Sequence, residues 1–210
     1  MAGAARFWDR MAERYARMPI SDEAAYQEKL RITRDYLRPD MTLLEVGCGT
    51  GSTALQHAPH VRHIEAVDVS GKMLEIARRK AAEAGALNID FRQADIETMR
   101  AGGQAYDAVL ALSILHLLED RDRAIGMIHD MLRPGGVFVS STICLGDSAL
   151  RLIAPITAPL RMLGLFPLLK PFRQSDLEHS LTRAGFTLDR VWRPGPRKAV
   201  FIVARKPATG

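Results

Sequence analysis

The sequence predicts an α/β fold in which helices cover both faces of a mostly parallel sheet. Short apolar runs alternate with amphipathic segments between residues 42 and 144, a pattern typical of parallel strands joined by helices. The first run ends in closely spaced glycines, and the second ends at Ser70, which can cap a helix. Only residues 193–197 join the two final runs, too short a link for a parallel crossover. The last strand is therefore predicted to be antiparallel.

Length and composition favour a single globular domain over residues 1–210. Apolar residues make up 47% of the chain and charged residues 25%. The two cysteines, Cys48 and Cys144, have neither metal-ligand spacing nor a disulfide pattern, so no metal site is predicted. Together with an N-terminus that lacks an apolar signal segment, this favours a cytoplasmic protein, with peripheral membrane contact as an alternative.

The formal net charge is +5 and the sequence pI is about 9.5. A solvated basic surface is one interpretation, and attraction to anionic lipid or nucleic acid is the other. No run of about 18 uncharged apolar residues occurs, so no membrane span is expected.

Residues 1–40 are predicted to form a helical cap. Phe7, Met11, Ala12 and Tyr15 recur at helical spacing and indicate an amphipathic first helix. Ser21-Asp22-Glu23 is typical of the start of a second helix, which must end before Pro39.

Residues 41–145 are predicted to form the cofactor-binding core. Strands are expected over residues 42–46, 63–69, 89–92, 106–112 and 137–144. Helices are expected over residues 52–58, 71–84 and 121–132, the second closed by Gly85 and the third stopped by Arg133-Pro134-Gly135-Gly136.

The remaining chain divides into two parts. Residues 146–173 are strongly apolar with spaced cations, and they are interpreted as a lid over an apolar substrate, a segment dipping into a membrane, or a helix packed on the core or on a second subunit. Residues 174–210 are predicted to form a helix over 174–184 and a hairpin of strands 187–192 and 199–204.

The segment Glu45-Val46-Gly47-Cys48-Gly49-Thr50-Gly51 is the most informative motif. Its three glycines follow a strand and precede a helix, where they permit a sharp turn and close approach to a ligand. Asp68 ends the next strand, and a carboxylate there can accept hydrogen bonds from both hydroxyls of a ribose.

This layout resembles two families. Dinucleotide-binding Rossmann proteins share it, but their fingerprint has glycine or alanine where this chain has Ser52. The spacing of Glu45 and the three glycines resembles the first motif of class I S-adenosylmethionine-dependent methyltransferases, in particular the small ubiquinone/menaquinone-methyltransferase-type group. The order of predicted elements from residue 42 to residue 204 matches that family as well. The resemblance implies a Rossmann-like, doubly wound, seven-stranded sheet and S-adenosyl-L-methionine as cofactor, with S-adenosyl-L-homocysteine as product.

The resemblance also implies roles for particular residues. Asp68 would bind the ribose, Met73 and Ile96 the adenine ring, and Asp95 the adenine amine. The full set of implied cofactor contacts is Tyr15, Glu45, Gly47, Cys48, Gly49, Gly51, Asp68, Val69, Met73, Ala94, Asp95, Ile96, Ala111, Leu112 and Ser113. Core packing is the alternative for Met73, Tyr15 and Cys48, and solvation in a turn is the alternative for Asp95.

Two side chains are candidates for a direct part in the reaction. His116 follows the fourth strand, where the acceptor is expected, and a histidine is suited to accept a proton near neutral pH. Tyr15 matches a tyrosine that closes over the cofactor in small family members. Packing or capping is the alternative for His116, since methyl transfer needs a general base only when the acceptor must lose a proton.

The expected acceptor is a small hydrophobic molecule, such as a quinone precursor or a lipid amine. A phospholipid-directed enzyme, a nucleic acid methyltransferase, and a non-catalytic or NAD-type nucleotide-binding protein are the alternatives. Ser113-Ile114-Leu115-His116 stands where base methyltransferases carry an Asn/Asp-Pro-Pro-aromatic motif, which argues against nucleic acid. A monomer and a homodimer both stay open.

Overall fold

The computed structural model describes residues 2–99, 105–147, 168–196 and 198–208. The strands in these ranges are β1 (Thr42–Val46), β2 (His63–Asp68), β3 (Ile89–Gln93), β4 (Tyr106–Leu112), β5 (Leu132–Thr142), β6 (Thr187–Trp192) and β7 (Val200–Arg205). The helices are α1 (Ala2–Arg17), α2 (Glu23–Arg34), α3 (Ser52–His57), α4 (Gly71–Glu83), α5 (Arg121–Met131) and α6 (Gln174–Arg183).

The strands form one seven-stranded sheet with the order β3-β2-β1-β4-β5-β7-β6. β7 runs antiparallel to both β5 and β6, and the pairings among β1 to β5 are parallel. The predicted doubly wound sheet with an antiparallel last strand is confirmed. The strand order reverses between β1 and β4, and in such sheets ligands bind at this reversal, beyond the carboxyl ends of the strands.

Both faces of the sheet are buried, as the continuous apolar strands predict. Leu43 and Leu44 are both 0% exposed although they point to opposite faces. Leu43 belongs to a core shared with α2, α3 and α4, and Leu44 to a core shared with α5 and α6. The helices therefore cover both faces of the sheet, which leaves the ends of the strands as the places where a ligand can bind.

Side-chain caps are present at the predicted starts of α2 and α4. Asp22 accepts a hydrogen bond from the Ala25 amide at 3.1 Å at the start of α2, and Ser70 Oγ accepts one from the Met73 amide at 3.1 Å at the start of α4. These contacts fix where each helix begins, and the second one lies directly after Asp68.

The start of β5 differs from the sequence prediction. A helix to residue 132 and a strand over 137–144 were expected, whereas α5 ends at Met131 and β5 spans Leu132–Thr142. The register shifts between the pairs Tyr106–Leu132 and Ala108–Val137, so residues 133–136 bulge without leaving the sheet. An ion pair of 2.7 Å between Arg133 and Asp107 holds this bulge against β4. β5 also ends two residues before the predicted residue 144, and the bounds of the other strands agree with the prediction to within one residue.

α1 packs on α4 at the carboxyl edge of the sheet. Asp9 Oδ1 accepts hydrogen bonds from Ser70 Oγ at 2.6 Å and from the Lys72 amide at 3.1 Å. Ala12 and Met73 pack together beneath this contact. The N-terminal helix is thereby fixed over the site described below.

The predicted lid lies mostly outside the described residues. Of the predicted lid, residues 148–167 are not described, whereas residues 168–173 are. No helix within the described ranges has both the length and the hydropathy that crossing a bilayer requires.

Candidate functional site

A cavity of about 300 Å³ lies at the carboxyl edge of β1, β2 and β4, where the strand order reverses. Such a position and volume fit a binding site for a small molecule. The described residues that line it are Trp8, Tyr15, Val46, Gly47, Gly49, Asp68, Val69, Met73, Ala94, Asp95, Ile96, Leu112, Ser113, Ile114, His116, Leu117, Leu118, Ile143 and Leu169.

The glycine turn that follows β1 shapes the floor of this cavity. Gly47, Gly49 and Gly51 have φ of +67°, +53° and +74°, a backbone region that side chains rarely adopt. A Cβ on Gly49 would have Tyr15 as its nearest neighbour at 3.9 Å, so the glycine leaves open space facing the ring. A Cβ on Gly51 would lie 2.9 Å from Ala77 Cβ, so that glycine is needed for packing against α4.

Asp68 is held at the end of β2 by the backbone around it. Its two carboxylate oxygens accept hydrogen bonds from the amides of Gly49 and Ser70, each at 2.9 Å. Burial raises the pKa of Asp68, and the two amide donors oppose part of that rise. The carboxylate lines the cavity and retains further lone pairs, with which it can accept hydrogen bonds from hydroxyl groups of a ligand.

Glu45 lies beneath the turn and is 3% exposed. Its Oε2 has no hydrogen-bond partner among the described residues, which leaves a buried polar atom unsatisfied. Burial, reinforced by the Asp68 carboxylate, raises the pKa of Glu45 to about 8. The rise favours the protonated carboxyl group, which can donate a hydrogen bond as well as accept one.

One end of the cavity combines a flat apolar surface with a single carboxylate. Met73 and Ile96 are buried and line the cavity together with Ala94. Asp95 also lines it, while Asp95 Oδ1 accepts a hydrogen bond from the Glu97 amide at 2.9 Å. This arrangement suits a planar ring that carries a hydrogen-bond donor on its edge.

Two aromatic residues of α1 close the cavity from above. Trp8 and Tyr15 both line it, and their rings meet edge to face with centroids 6.1 Å apart. Partial burial and the nearby Asp68 carboxylate raise the pKa of Tyr15, so its hydroxyl stays protonated at neutral pH. The hydroxyl can therefore donate a hydrogen bond toward the cavity.

The other end of the cavity follows β4 and is mainly apolar. Leu117, Leu118, Ile143 and Leu169 line it. Ser113 connects this end to the glycine turn, and among described non-glycine residues Ser113 alone has positive φ, at +61°. Such a conformation is strained for serine and is held by the Ser113 amide, which donates to the Ser141 carbonyl at 2.7 Å.

His116 lies in this apolar end. It is 7% exposed, and its Nδ1 has no hydrogen-bond partner among the described residues. Burial lowers the pKa of His116 to about 4. The imidazole is therefore neutral at physiological pH and has a lone pair available.

Twelve of the sixteen predicted site residues line the cavity, and the other four do not. Glu45, Cys48, Gly51 and Ala111 are not among the lining residues. Cys48 is buried, which raises the pKa of its thiol and makes it a poor nucleophile. Gly51 packs on Ala77, and Ala111 is fully buried in β4.

Sequence reasoning missed several lining residues. Trp8 lies two helical turns before Tyr15 on the same face of α1, a spacing that could have identified it. Ile143 and Leu169 carry no such signal, because only the tertiary fold brings them to β4. Asp9, which fixes α1 to Ser70, likewise has no local pattern.

Comparison with known proteins places this geometry in a family. A profile described as "Methyltransferase domain" matches residues 43–136. The ubiquinone biosynthesis O-methyltransferase of Sinorhizobium medicae is 30% identical over 184 residues, which cover 86% of this chain and 68% of that protein. The chain belongs to the class I S-adenosylmethionine-dependent methyltransferases.

The relatives of this methyltransferase chain are longer than it is. The ubiquinone biosynthesis O-methyltransferases of Methylocella silvestris and of Chelativorans sp. are each 32% identical, and the matched regions cover 40% and 60% of their lengths. The chain therefore spans between about two fifths and two thirds of the length of these curated relatives.

Solved structures share the fold. An S-adenosylmethionine-dependent methyltransferase from Mesorhizobium loti superposes with a TM-score of 0.70 at 21% identity, covering 88% of this chain and 99% of that one. The [4+2]-cyclase SpnF gives 0.74 at 22% identity, covering 89% and 82%. At these identities the likeness shows the methyltransferase fold alone.

The residues in the cavity fit the cofactor that family membership implies. S-adenosylmethionine is cationic at its sulfur and its ammonium group, and the described lining contains Asp68 and Asp95 but no lysine or arginine. The open space at Gly49 and the unsatisfied Oε2 of Glu45 beneath the turn suit a polar amino acid moiety.

Proposed function

We propose that this chain transfers the methyl group of S-adenosylmethionine to a small, apolar acceptor, such as a quinone precursor, a lipid amine or a similar hydrophobic metabolite. The observation that carries the proposal is that one cavity has two unlike ends. Carboxylates and the glycine turn lie at one end, and apolar side chains surround a neutral histidine at the other.

The polar end would hold the cofactor. Asp68 would accept hydrogen bonds from the ribose hydroxyls, and Asp95 one from the adenine amine. Met73 and Ile96 would cover the adenine ring, since Met adapts well to a flat surface. Gly49 would admit the methionine portion close to the backbone. Bound there, the cofactor supplies a methyl group already activated on a sulfonium.

The apolar end would hold the acceptor. Leu117, Leu118, Ile143 and Leu169 would exclude water from the acceptor and orient its reacting atom toward the cofactor. The names of the curated relatives, which act in ubiquinone biosynthesis, support a quinone precursor as one member of this acceptor class.

His116 is the group best placed to take a proton from the acceptor. Its imidazole is neutral and lines the apolar end. A base with a pKa of about 4 removes a proton effectively only when the acceptor hydrogen is itself acidic, which favours a phenol over an aliphatic alcohol. Tyr15 would close the site from the side of α1 and donate a hydrogen bond toward the cofactor.

The test uses S-adenosylmethionine with a deuterated methyl group. The chain is incubated with a panel of catechols, alkylated phenols and long-chain amines, and mass spectrometry detects the transferred label. We expect transfer to apolar phenols in the wild type and at least a tenfold lower rate for His116→Leu. Transfer to none of the panel by protein that binds the cofactor would overturn the proposed acceptor class.

A second candidate, a phospholipid-directed enzyme at a membrane surface, is supported by the exposed face of α1. Arg6, Arg14 and Arg17 are exposed and share one side of the helix. Met18 and Ile20 are 55% and 48% exposed immediately after it. Cations beside exposed apolar groups favour contact with anionic headgroups.

Vesicle sedimentation tests this second candidate. We expect more binding to phosphatidylglycerol vesicles than to phosphatidylcholine vesicles, and at least a fivefold loss for Met18→Ser combined with Ile20→Ser. Leu87→Ser is the matched control, because Leu87 is 97% exposed after α4 and away from this surface. Equal binding by all variants would exclude α1 as the contact.

A further inference from the structure

The ammonium group of Lys29 lies beside the apolar end of the cavity. Lys29 belongs to α2, and its Nζ donates a hydrogen bond to Ser141 Oγ at 2.9 Å. The Ser141 carbonyl accepts from the Ser113 amide at 2.7 Å, and Ser113 lines the cavity. Ile143, two residues beyond Ser141, lines it as well. Lys29 and Ser141 are not lining residues themselves, so the cation lies close to the apolar end of the cavity but outside its present lining.

The charge of Lys29 is not neutralised by the protein around it. No carboxylate within the described ranges lies within 4.0 Å of its Nζ. Asp22 is the carboxylate that attracts Lys29 electrostatically. It is already paired with Lys198 at 2.8 Å, and it accepts the capping hydrogen bond from the Ala25 amide. Burial lowers the pKa of Lys29, which reflects the cost of keeping the cation in this place.

The acceptor would reach the apolar end of the cavity through its mouth. The volume of about 300 Å³ is at the low end for ligand pockets, so an acceptor bound beside the cofactor would extend toward that mouth. Ile143 lines the cavity and is also 42% exposed, so it marks the mouth on the side of β5. An acceptor that enters past Ile143 meets the surface to which Lys29 is bound.

We propose that Lys29 binds an anionic oxygen of the methyl acceptor, a carboxylate or an ionised phenol on an otherwise apolar molecule. Ser141 accepts one of the three ammonium protons, and the other two have no acceptor among the described residues, so they can make this contact. A charge-assisted hydrogen bond at the edge of an apolar chamber orients an amphipathic acceptor with its apolar body inside. The inference rests on the proposed function and narrows its acceptor class.

Calorimetric titration into protein saturated with S-adenosylhomocysteine tests the proposal. The probes are 3,4-dihydroxybenzoate, its neutral methyl ester, and 4-nitrocatechol, which carries an ionised phenol at mildly alkaline pH. We expect wild-type protein to bind one of the two anionic probes about tenfold more tightly than the ester. Preference for the benzoate identifies a carboxylate as the partner of Lys29, and preference for 4-nitrocatechol identifies a phenolate.

Two variants and a control separate charge from fold. Lys29→Gln should lose the preference for the anion and keep the affinity for the ester, whereas Lys29→Arg should retain the preference. Lys72→Gln is the control, because Lys72 is an exposed lysine paired with Glu75 at 2.9 Å. The role of Lys29 would be overturned if the wild type did not prefer an anionic probe to the ester. It would also be overturned if Lys29→Gln kept that preference.

The affinity for S-adenosylhomocysteine is measured in the same samples before the probes are added. It separates a failure of the role of Lys29 from a failure of the proposed function. Wild-type protein that binds S-adenosylhomocysteine but shows no anion preference overturns the role of Lys29 and leaves the proposed function standing. Wild-type protein that does not bind S-adenosylhomocysteine overturns the proposed function and this inference with it.

Discussion

The two ends of the cavity differ in how their polar groups are satisfied. At the cofactor end, Asp68 accepts two backbone hydrogen bonds from a turn whose glycines permit the required conformation. At the acceptor end, His116 Nδ1 has no partner among the described residues, and Ser113 has a strained backbone. Backbone hydrogen bonds therefore position Asp68 at the cofactor end, whereas no such bonds within the described ranges position the His116 imidazole at the acceptor end. Each end also has one buried polar atom without a partner among the described residues, Glu45 Oε2 and His116 Nδ1.

The largest effect is expected from Asp68→Ala at the cofactor end. If Asp68 holds the ribose as proposed, the change removes two charge-assisted hydrogen bonds, each worth about 2 kcal/mol, and affinity for S-adenosylhomocysteine should fall about a thousandfold. Calorimetry measures the affinity of both proteins. Asp90→Ala is the control, because Asp90 is exposed on the neighbouring strand β3. An affinity within fivefold of wild type would mean that Asp68 does not hold the ribose.

Gly51→Ala tests whether the glycine turn is required by packing as well as by conformation. A Cβ at Gly51 would lie 2.9 Å from Ala77 Cβ and 3.1 Å from Phe91, whereas a Cβ at Gly85 meets nothing within 4 Å. Both glycines have positive φ, so both alanine variants share the conformational strain. Gly51→Ala should cost about 3 kcal/mol of unfolding free energy and Gly85→Ala about 1 kcal/mol. Urea unfolding of both proteins gives the difference, and equal losses would contradict the packing role.

His116 should make stability depend on pH. Its pKa is about 4 in the folded protein and about 6.5 when unfolded, so between these values the unfolded chain binds more protons. Stability therefore falls as pH decreases from about 6.5 to about 4. Relative to His116→Leu, the wild type should lose about 2 kcal/mol between pH 7 and pH 5. Parallel unfolding curves at the two pH values measure this, and a difference independent of pH would show that His116 is not buried in its neutral form.

The smallest effect is expected at Ser113. Glycine at this position relieves the left-handed strain, while alanine retains it. Ser113→Gly should therefore be more stable than Ser113→Ala by about 1 kcal/mol, as thermal unfolding can detect. Equal stability of the two variants would indicate that the backbone at the acceptor end is not strained.

The contrast between the two ends of the cavity also explains which features could be predicted from the sequence. The succession of strands and helices along the chain and the residues of the cofactor end follow from local signals: apolar runs, the spaced glycines, and Asp68 at the end of the next strand. β5 was mispredicted at its start because Arg133-Pro134-Gly135-Gly136 is typical of a turn. Tertiary contacts keep the segment in the sheet, namely the ion pair with Asp107 and the backbone hydrogen bonds of Gly135 and Gly136 with Lys206. In this case long-range contacts outweighed local propensity.

The acceptor end was harder to predict. Leu169 and Ile143 reach it from distant parts of the chain, and Lys29 contacts Ser141 across 112 positions. No periodic pattern or motif records such contacts. His116 was identified because it follows β4 directly, but its missing hydrogen-bond partner and lowered pKa required the structure.

We infer that the polar end of the cavity binds S-adenosylmethionine and not a dinucleotide. Calorimetric titration of S-adenosylmethionine, S-adenosylhomocysteine and NAD into wild-type protein under identical conditions tests this most simply. We expect one site of micromolar affinity for the first two ligands and no heat of binding for NAD, because Ser52 stands where the dinucleotide fingerprint has glycine or alanine. Binding of NAD, or binding of neither S-adenosyl compound by folded protein, would contradict it.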